Sequence, residues 1–229
     1  MNRSLPAAAR PTNDDLAQII LRGASRLGIA LGREPAGQLV AYLRLIDRWN
    51  ATYNLTAVRT VEAMATQHIV DAMTVISALR VRLPGTENRI LDVGAGAGLP
   101  GVVIAILEPD AAVVCVDSVG KKTAFVSQVA ATLGLQNLSA VHSRVEAMTA
   151  PPSFGVVVSR AFSSLQDFVS STRHLLAADG WWIAMKGKLP RQELIDAKQS
   201  GATFDIEQVS VPGLDAERCL ILGRPIRES

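Results

Sequence analysis

The sequence predicts an α/β fold: a mostly parallel seven-stranded sheet with an antiparallel last strand, preceded by a helical N-terminal extension. Three observations predict it. After Arg89, continuous apolar runs alternate with helical segments, the pattern of a parallel sheet covered on both faces. Before about residue 85 the apolar spacing is helical and no strand pattern stands out. Near the C-terminus two apolar runs are separated by only a short turn, so they pair antiparallel, since a parallel pair needs a longer crossover. Apolar residues make up 48% of the 229 and charged residues 19%, which supports a sizeable core in one large domain or one domain with an extension.

Taken in order, residues 1–12 read as a disordered lead, 13–85 as the helical extension and 86–229 as the sheet domain. Thr12 can cap a first helix, with Asp15 three residues on completing a capping box. Leu16, Ile19, Ile20 and Leu27 keep helical spacing and Gly28 stops it. A second helix starts near Pro35, lines one face with Leu39, Leu43 and Ile46, and ends near Trp49, where "NATYNLTAVRT" brings turn-forming Asn and Thr. One or two further helices cover Val61 to Leu83, and "LPGTEN" is the linker. The strands then read "RILDVGA", "AAVVCVD", "LSAVHSR", "GVVVSRAF" and "GWWIAMKG", with helices at Lys121–Leu133 and Leu165–Ala177 between them. Ser164 and Asp167 suit a capping box for the latter. "ATFDIEQVSVPG" and "ERCLILGRP" are the closing antiparallel pair. Five parallel strands ending in a hairpin resemble the Rossmann-like fold of class I methyltransferases.

Charge and cysteine content exclude more than they assign. There are 23 basic against 21 acidic residues, so any basic face is local. Cys115 and Cys219 stand far apart in apolar runs and read as buried thiols. The histidines are scattered at 68, 142 and 174, with no metal-ligand spacing, and no metal is expected. The leading residues lack the apolar core of a signal peptide and no run reaches membrane-spanning length. A cytoplasmic, monomeric protein is the expectation.

The stretch "ILDVGAGAGLPG" (90–101) is a strand running through a glycine loop into a helix. No Lys-[ST] follows it, which argues against a triphosphate. Gly96, Gly98 and Gly101 fit a dinucleotide fingerprint, with Asp117 about 20 residues further on. Three features favour S-adenosylmethionine instead. Pro100 lacks the backbone N–H that a pyrophosphate wants at a helix start. No second mononucleotide half follows. Asp92, two residues before Gly94, gives D-x-G-x-G, a carboxylate able to order the loop and face a cationic ligand. Asp117 could take both ribose hydroxyls of either ligand.

Beyond the loop, "RWNATYNLTAV" (48–58), "HIVDA" (68–72), "VDSVGKKTAFV" (116–126), "SRVE" (143–146), "VVSRAFSSL" (157–165) and "MKG" (185–187) make the chain similar, from roughly Leu39 onward, to the RsmG (GidB) family. These are bacterial methyltransferases that act on guanine N7 in 16S (small-subunit) ribosomal RNA. Ala72, Ala95 and Leu99 depart from that pattern, where serine, serine or threonine, and phenylalanine are common. The resemblance implies S-adenosylmethionine as cofactor, with contacts at Gly94, Leu99, Val145, Glu146 and Arg160, beside Asp92 and Gly96 from the loop stretch and Asp117 at the end of the second strand. Arg160 and Lys186 are expected to hold substrate phosphate or the guanine O6 edge. Arg59, Lys121, Lys122, Arg144 and Lys186 are the expected RNA contacts. The partner is then 16S rRNA or the assembled small subunit. N7 of guanine carries a lone pair and no proton, so no general base is expected, and His68 and Asp71, although at i, i+3 spacing, read as structural.

Overall fold

The computed structural model describes residues 10–83, 88–149, 153–160 and 162–226. Most of the lead and of the "LPGTEN" linker therefore lie outside the described residues. The extension comprises α1 (Asn13–Arg26), α2 (Arg33–Tyr53), α3 (Val61–Met64), a π-helical turn (Ala65–Val70), α4 (Asp71–Met73) and α5 (Val75–Arg82). Thr12 caps α1 in a full capping box: the Asp15 N–H donates to Thr12 Oγ1 at 3.1 Å, and the Thr12 N–H donates to Asp15 Oδ2 at 2.8 Å.

α2 is longer than its sequence predicts, starting at Arg33 and reaching Tyr53. Pro35 still sits in the first turn, where its missing N–H is no loss. The Asn-rich stretch breaks the helix later, at Asn54, which adopts a left-handed conformation (φ 50°). Asn50 stays inside the helix, and its Oδ1 accepts from the Thr56 N–H at 2.8 Å, holding the departing chain.

The sheet is built from β1 (Arg89–Val93), β2 (Ala112–Asp117), β3 (Leu138–His142), β4 (Phe154–Arg160), β5 (Leu176–Lys186), β6 (Ala202–Val209) and β7 (Arg218–Pro225), in the order β3-β2-β1-β4-β5-β7-β6. β1 to β5 pair parallel, and β7 inserts antiparallel between β5 and β6. Helices α6 (Gly101–Leu107), α7 (Gly120–Leu133), α8 (Leu165–Thr172) and the short α9 (Arg191–Asp196), which the sequence pattern does not announce, complete the fold.

Two boundaries differ from the sequence pattern. α8 ends at Thr172, not Ala177, and β5 begins at Leu176, four residues before Gly180. The Thr172 hydroxyl donates to Phe168 O at 2.5 Å and accepts from Trp182 Nε1–H at 2.9 Å, pinning the helix end to the strand. Leu176 pairs with Phe154 and the register then shifts before Val156. The Ser164–Asp167 box is half formed: Ser164 Oγ accepts the Asp167 N–H, while the Asp167 carboxylate takes the Ser163 hydroxyl. Trp182 is core, but Trp181 is only partly buried, with the Arg82 and Arg224 guanidiniums 4.9 and 5.7 Å from its ring.

The larger core cluster runs from Leu16, Ile20, Leu43 and Ile46 of the extension through Val102, Phe125 and Val126 to Val156 and Leu220 of the sheet. The extension is thus packed into the same interior as the sheet. Among the described residues, no helix is long and apolar enough to cross a membrane.

Candidate functional site

Chain order reverses between β1 and β4: β2 and β3 lie to one side, β5 to the other. Ligands of open α/β sheets bind outside the carboxyl ends of strands at such a switch point. A cavity of about 350 Å³ opens there, lined by Val93 and Gly94 at the end of β1, Val116 to Val119 and Lys122 at and beyond the end of β2, Ser143 to Glu146 after β3, and Phe162 after β4.

The glycine loop forms its inner wall. The Gly94 and Ala95 N–H groups both donate to Val116 O, at 2.9 and 3.2 Å, folding the loop onto β2. Gly94 has φ +66°, and a Cβ there would meet nothing within 4 Å, so the bare backbone faces open space. Gly101 is the opposite case. A Cβ would run into Cys115 Sγ and come within 2.8 Å of Asp92 Oδ2, so glycine lets α6 sit directly on the sheet.

Asp92 is fully buried. Its Oδ2 accepts the Gly101 N–H at 2.7 Å and lies 3.9 Å from Cys115 Sγ, while Oδ1 has no partner. Burial, opposed by the Gly101 N–H and the Arg160 charge, raises its pKa to about 7. The carboxylate thus sits behind the loop under the start of α6, where its bond to the Gly101 N–H orders the loop. Leu99, on the same loop, is 3% exposed and packs in the main core.

Asp117 stands at the end of β2. Its Oδ2 accepts from the Gly96 N–H at 3.0 Å and from Lys122 Nζ at 3.4 Å, and its Oδ1 from the Val119 N–H at 2.9 Å. A carboxylate has about four acceptor sites; with three used, Asp117 has room for about one ribose hydroxyl rather than two. Val145, buried, and Glu146, exposed, begin the turn after β3 and line the cavity beside exposed Arg144.

Arg160 and Lys186 end the adjacent strands β4 and β5, and both are already engaged. Arg160 Nη1 donates to Gln67 O at 3.3 Å and lies 3.5 Å from Asp71 Oδ2. Lys186 Nζ donates to Phe162 O at 3.2 Å and Glu193 Oε2 at 2.8 Å. Of the other basic positions, Arg59 is exposed in the loop before α3, exposed Lys121 donates to Tyr53 O at the end of α2, and Lys122 is paired with Asp117.

His68 and Asp71 have separate partners. His68 Nε2 is 2.7 Å from Thr56 Oγ1, and burial with the nearby Arg160 charge lowers its pKa to about 4. Asp71, buried, accepts from Arg218 Nε at 2.8 Å. Sequence reasoning passed over Arg218 and Tyr42, whose hydroxyl donates to Ala97 O in the glycine loop at 2.6 Å. Both contacts join positions far apart in the chain, and no local spacing signals them. Glu193, the partner of Lys186, lies on the unannounced α9. Among the described residues, no group of three or more His, Cys, Asp or Glu could hold a metal ion.

Residues 36–221 match the family described as rRNA small subunit methyltransferase G. The chain is 48% identical over 206 residues to a ribosomal RNA small subunit methyltransferase G of Methylibium petroleiphilum, covering 90% of this chain and 93% of that one. The protein of the same name from Leptothrix cholodnii is 49% identical, covering 90% and 94%. Among solved structures, the glycopeptide N-methyltransferase MtfA complexed with S-adenosyl-L-methionine superposes with a TM-score of 0.57 at 12% identity, over 68% of this chain and 94% of that one. A SAM-dependent methyltransferase from Aquifex aeolicus gives 0.54 at 15% identity, over 70% and 92%. At such identities these structures speak to the fold alone.

Proposed function

The chain belongs to the rRNA small subunit methyltransferase G family, and we propose that it transfers the methyl group of S-adenosylmethionine to N7 of a guanine in 16S rRNA. The observation that carries this reading is the cavity at the sheet's switch point, with bare backbone at Gly94, an apolar floor from Val93, Val116 and Val145, and the exposed Glu146 carboxylate at its rim. These residues fit the cofactor. Gly94 and Gly96 admit it to the strand ends, Val145 and Glu146 hold the adenine edge, and the free acceptor site of Asp117 takes a ribose hydroxyl. When bound, S-adenosylmethionine supplies an electrophilic methyl group on a sulfonium.

The chain's own residues then have one task, alignment. Guanine N7 presents its lone pair in the ring plane and loses no proton, so no side chain must act as a base. Neutral His68, held by Thr56, suits that absence. Orientation of two reactants is worth ~7–11 kcal/mol in well-ordered cases. Arg160 and Lys186, at the ends of neighbouring strands, hold phosphate or the guanine O6 edge. The Lys186 ammonium uses two of its three donors within the chain, leaving one for substrate. Exposed Arg59 and Arg144, with Lys121 and Lys122, contact RNA phosphate. We read the extension (13–85) as a unit fused to the methyltransferase domain (86–229), working as a monomer in the cytoplasm.

The test incubates the protein and labelled S-adenosylmethionine with small subunits from cells lacking this gene, then locates the label. Label on N7 of one 16S rRNA guanine is expected, and Arg160→Ala and Lys186→Ala should slow its transfer. Label on protein only, or nowhere, would refute the activity, and unchanged transfer by both variants would refute their role.

A further inference from the structure

The glycine loop turns through positive φ at Gly94, Gly96 and Gly98, and a chain so free of Cβ constraints must be held from outside. Three side chains hold it. Asp117 takes the Gly96 N–H and Asp92 the Gly101 N–H, both from strands of the sheet. The third comes from the extension: Tyr42 Oη donates to Ala97 O at 2.6 Å, across 55 residues of sequence.

Tyr42 is fully buried on α2. Burial pushes its pKa well above the usual phenol value, so the hydroxyl stays a donor. Its ring stacks on Phe125 of α7 with centroids 6.4 Å apart, and Trp49, two turns further along α2, meets the same Phe125 edge-on at 5.2 Å. The same helix ends at Tyr53, whose carbonyl takes Lys121 Nζ at the start of α7. α2 therefore grips both walls of the cavity: the glycine loop through the hydroxyl, and α7, preceded by Val119 and carrying Lys122, through the aromatic contacts.

We propose that Tyr42 is a positioning residue for the cofactor: its hydroxyl holds the far half of the glycine loop so that the Gly94 end is presented in its binding shape. The seating of the helical extension then sets how tightly the cofactor is held. This rests on the S-adenosylmethionine reading above. With the bond removed, the loop samples shapes in which Ala97 O finds another partner, and the binding-competent fraction falls.

Tyr42→Phe keeps the ring and deletes only the donor. Calorimetric titration of the full chain with S-adenosylhomocysteine should show Kd rising about threefold to thirtyfold, the range expected for one buried hydrogen bond. The cofactor KM should rise in parallel, while kcat at saturating cofactor stays within about twofold, because bound cofactor restores the loop. Thr172→Val is the control. It deletes a buried hydroxyl of the same strength class at the end of α8 and should lower thermal stability without moving Kd. Wild-type Kd in Tyr42→Phe, or equal weakening by Thr172→Val, would overturn the proposal while leaving the cofactor reading intact. Absence of binding by the unmodified chain would overturn both.

Discussion

Replacing Asp92 by asparagine should remove a pH dependence from the protein's stability. The buried Asp92 carboxyl has its pKa raised from 3.8 to about 7, chiefly by burial. An acid whose folded pKa lies above its unfolded one holds its proton more tightly when folded. Its contribution is therefore undiminished below about pH 4 and falls as pH climbs towards 7. At about 1.36 kcal/mol per unit, the window is worth ~4 kcal/mol, of which ~3 kcal/mol falls between about pH 5 and pH 8. Asparagine at this position carries no charge, and its oxygen can still accept the Gly101 N–H. Its amide nitrogen takes the place of Oδ1, which has no partner, adding a constant penalty of ~1–3 kcal/mol at every pH. D92N should thus be close to or below the parent in stability near pH 5 and gain on it by ~3 kcal/mol by pH 8. Urea denaturation of both chains across that range measures the difference. A difference that stays flat with pH would show that Asp92 is ionised throughout, and the burial argument would fail.

Other substitutions separate fold from site. Thr172→Val strands the buried Trp182 indole N–H and should cost ~1–3 kcal/mol in urea denaturation. Asp71→Asn leaves Arg160 and Arg218 around an uncharged partner; with both arginines 27% exposed, water offsets part of the loss, and ~1–3 kcal/mol is expected in the same assay. Gly101→Ala drives a Cβ into Cys115 and Asp92, buried strand residues with little room to move, and should lower stability by ~1–3 kcal/mol or more. Gly94→Ala meets open space, so thermal unfolding should show only the ~1–2 kcal/mol of a positive φ, while S-adenosylhomocysteine binding is lost as the Cβ enters the cavity.

How far the sequence could be read follows from the range of the forces involved. The strands were legible because two-sided burial leaves unbroken runs such as Val113 to Val116, and the closing hairpin because its turn is too short for a crossover. Thr12 and Asp15 were legible as a cap because both partners lie within one turn. The end of α2 was not, since Asn50 as a helix breaker and Asn50 as a helical residue bonding Thr56 have the same sequence; only packing against Phe125 and the core decides. The start of β5 depends on Thr172 meeting Trp182, ten residues away across a turn. At the site, spacing placed Asp92 correctly at the strand end but could not say on which side of the loop its carboxylate lies. That side is set by α6 packing onto β1 through Gly101.

Several of the contacts that spacing could not place come from the extension. Tyr42 reaches the loop from α2, Asp71 and Gln67 reach Arg160 from the π-helical turn and its continuation, and Tyr53 O receives Lys121. All four are in the extension, and all touch the carboxyl-end side of the sheet. An open parallel sheet with a glycine loop can seat a nucleotide at its switch point. Here the same loop is additionally tied to α2 of the extension through Tyr42, and the loop that follows α2 carries the exposed Arg59. The base-free transfer proposed above depends on the placement of two reactants, and placement is lost when either wall of the cleft is free to move. On the activity proposed above, the extension is therefore part of the reaction's geometry: it shares one core with the sheet and holds the glycine loop through Tyr42.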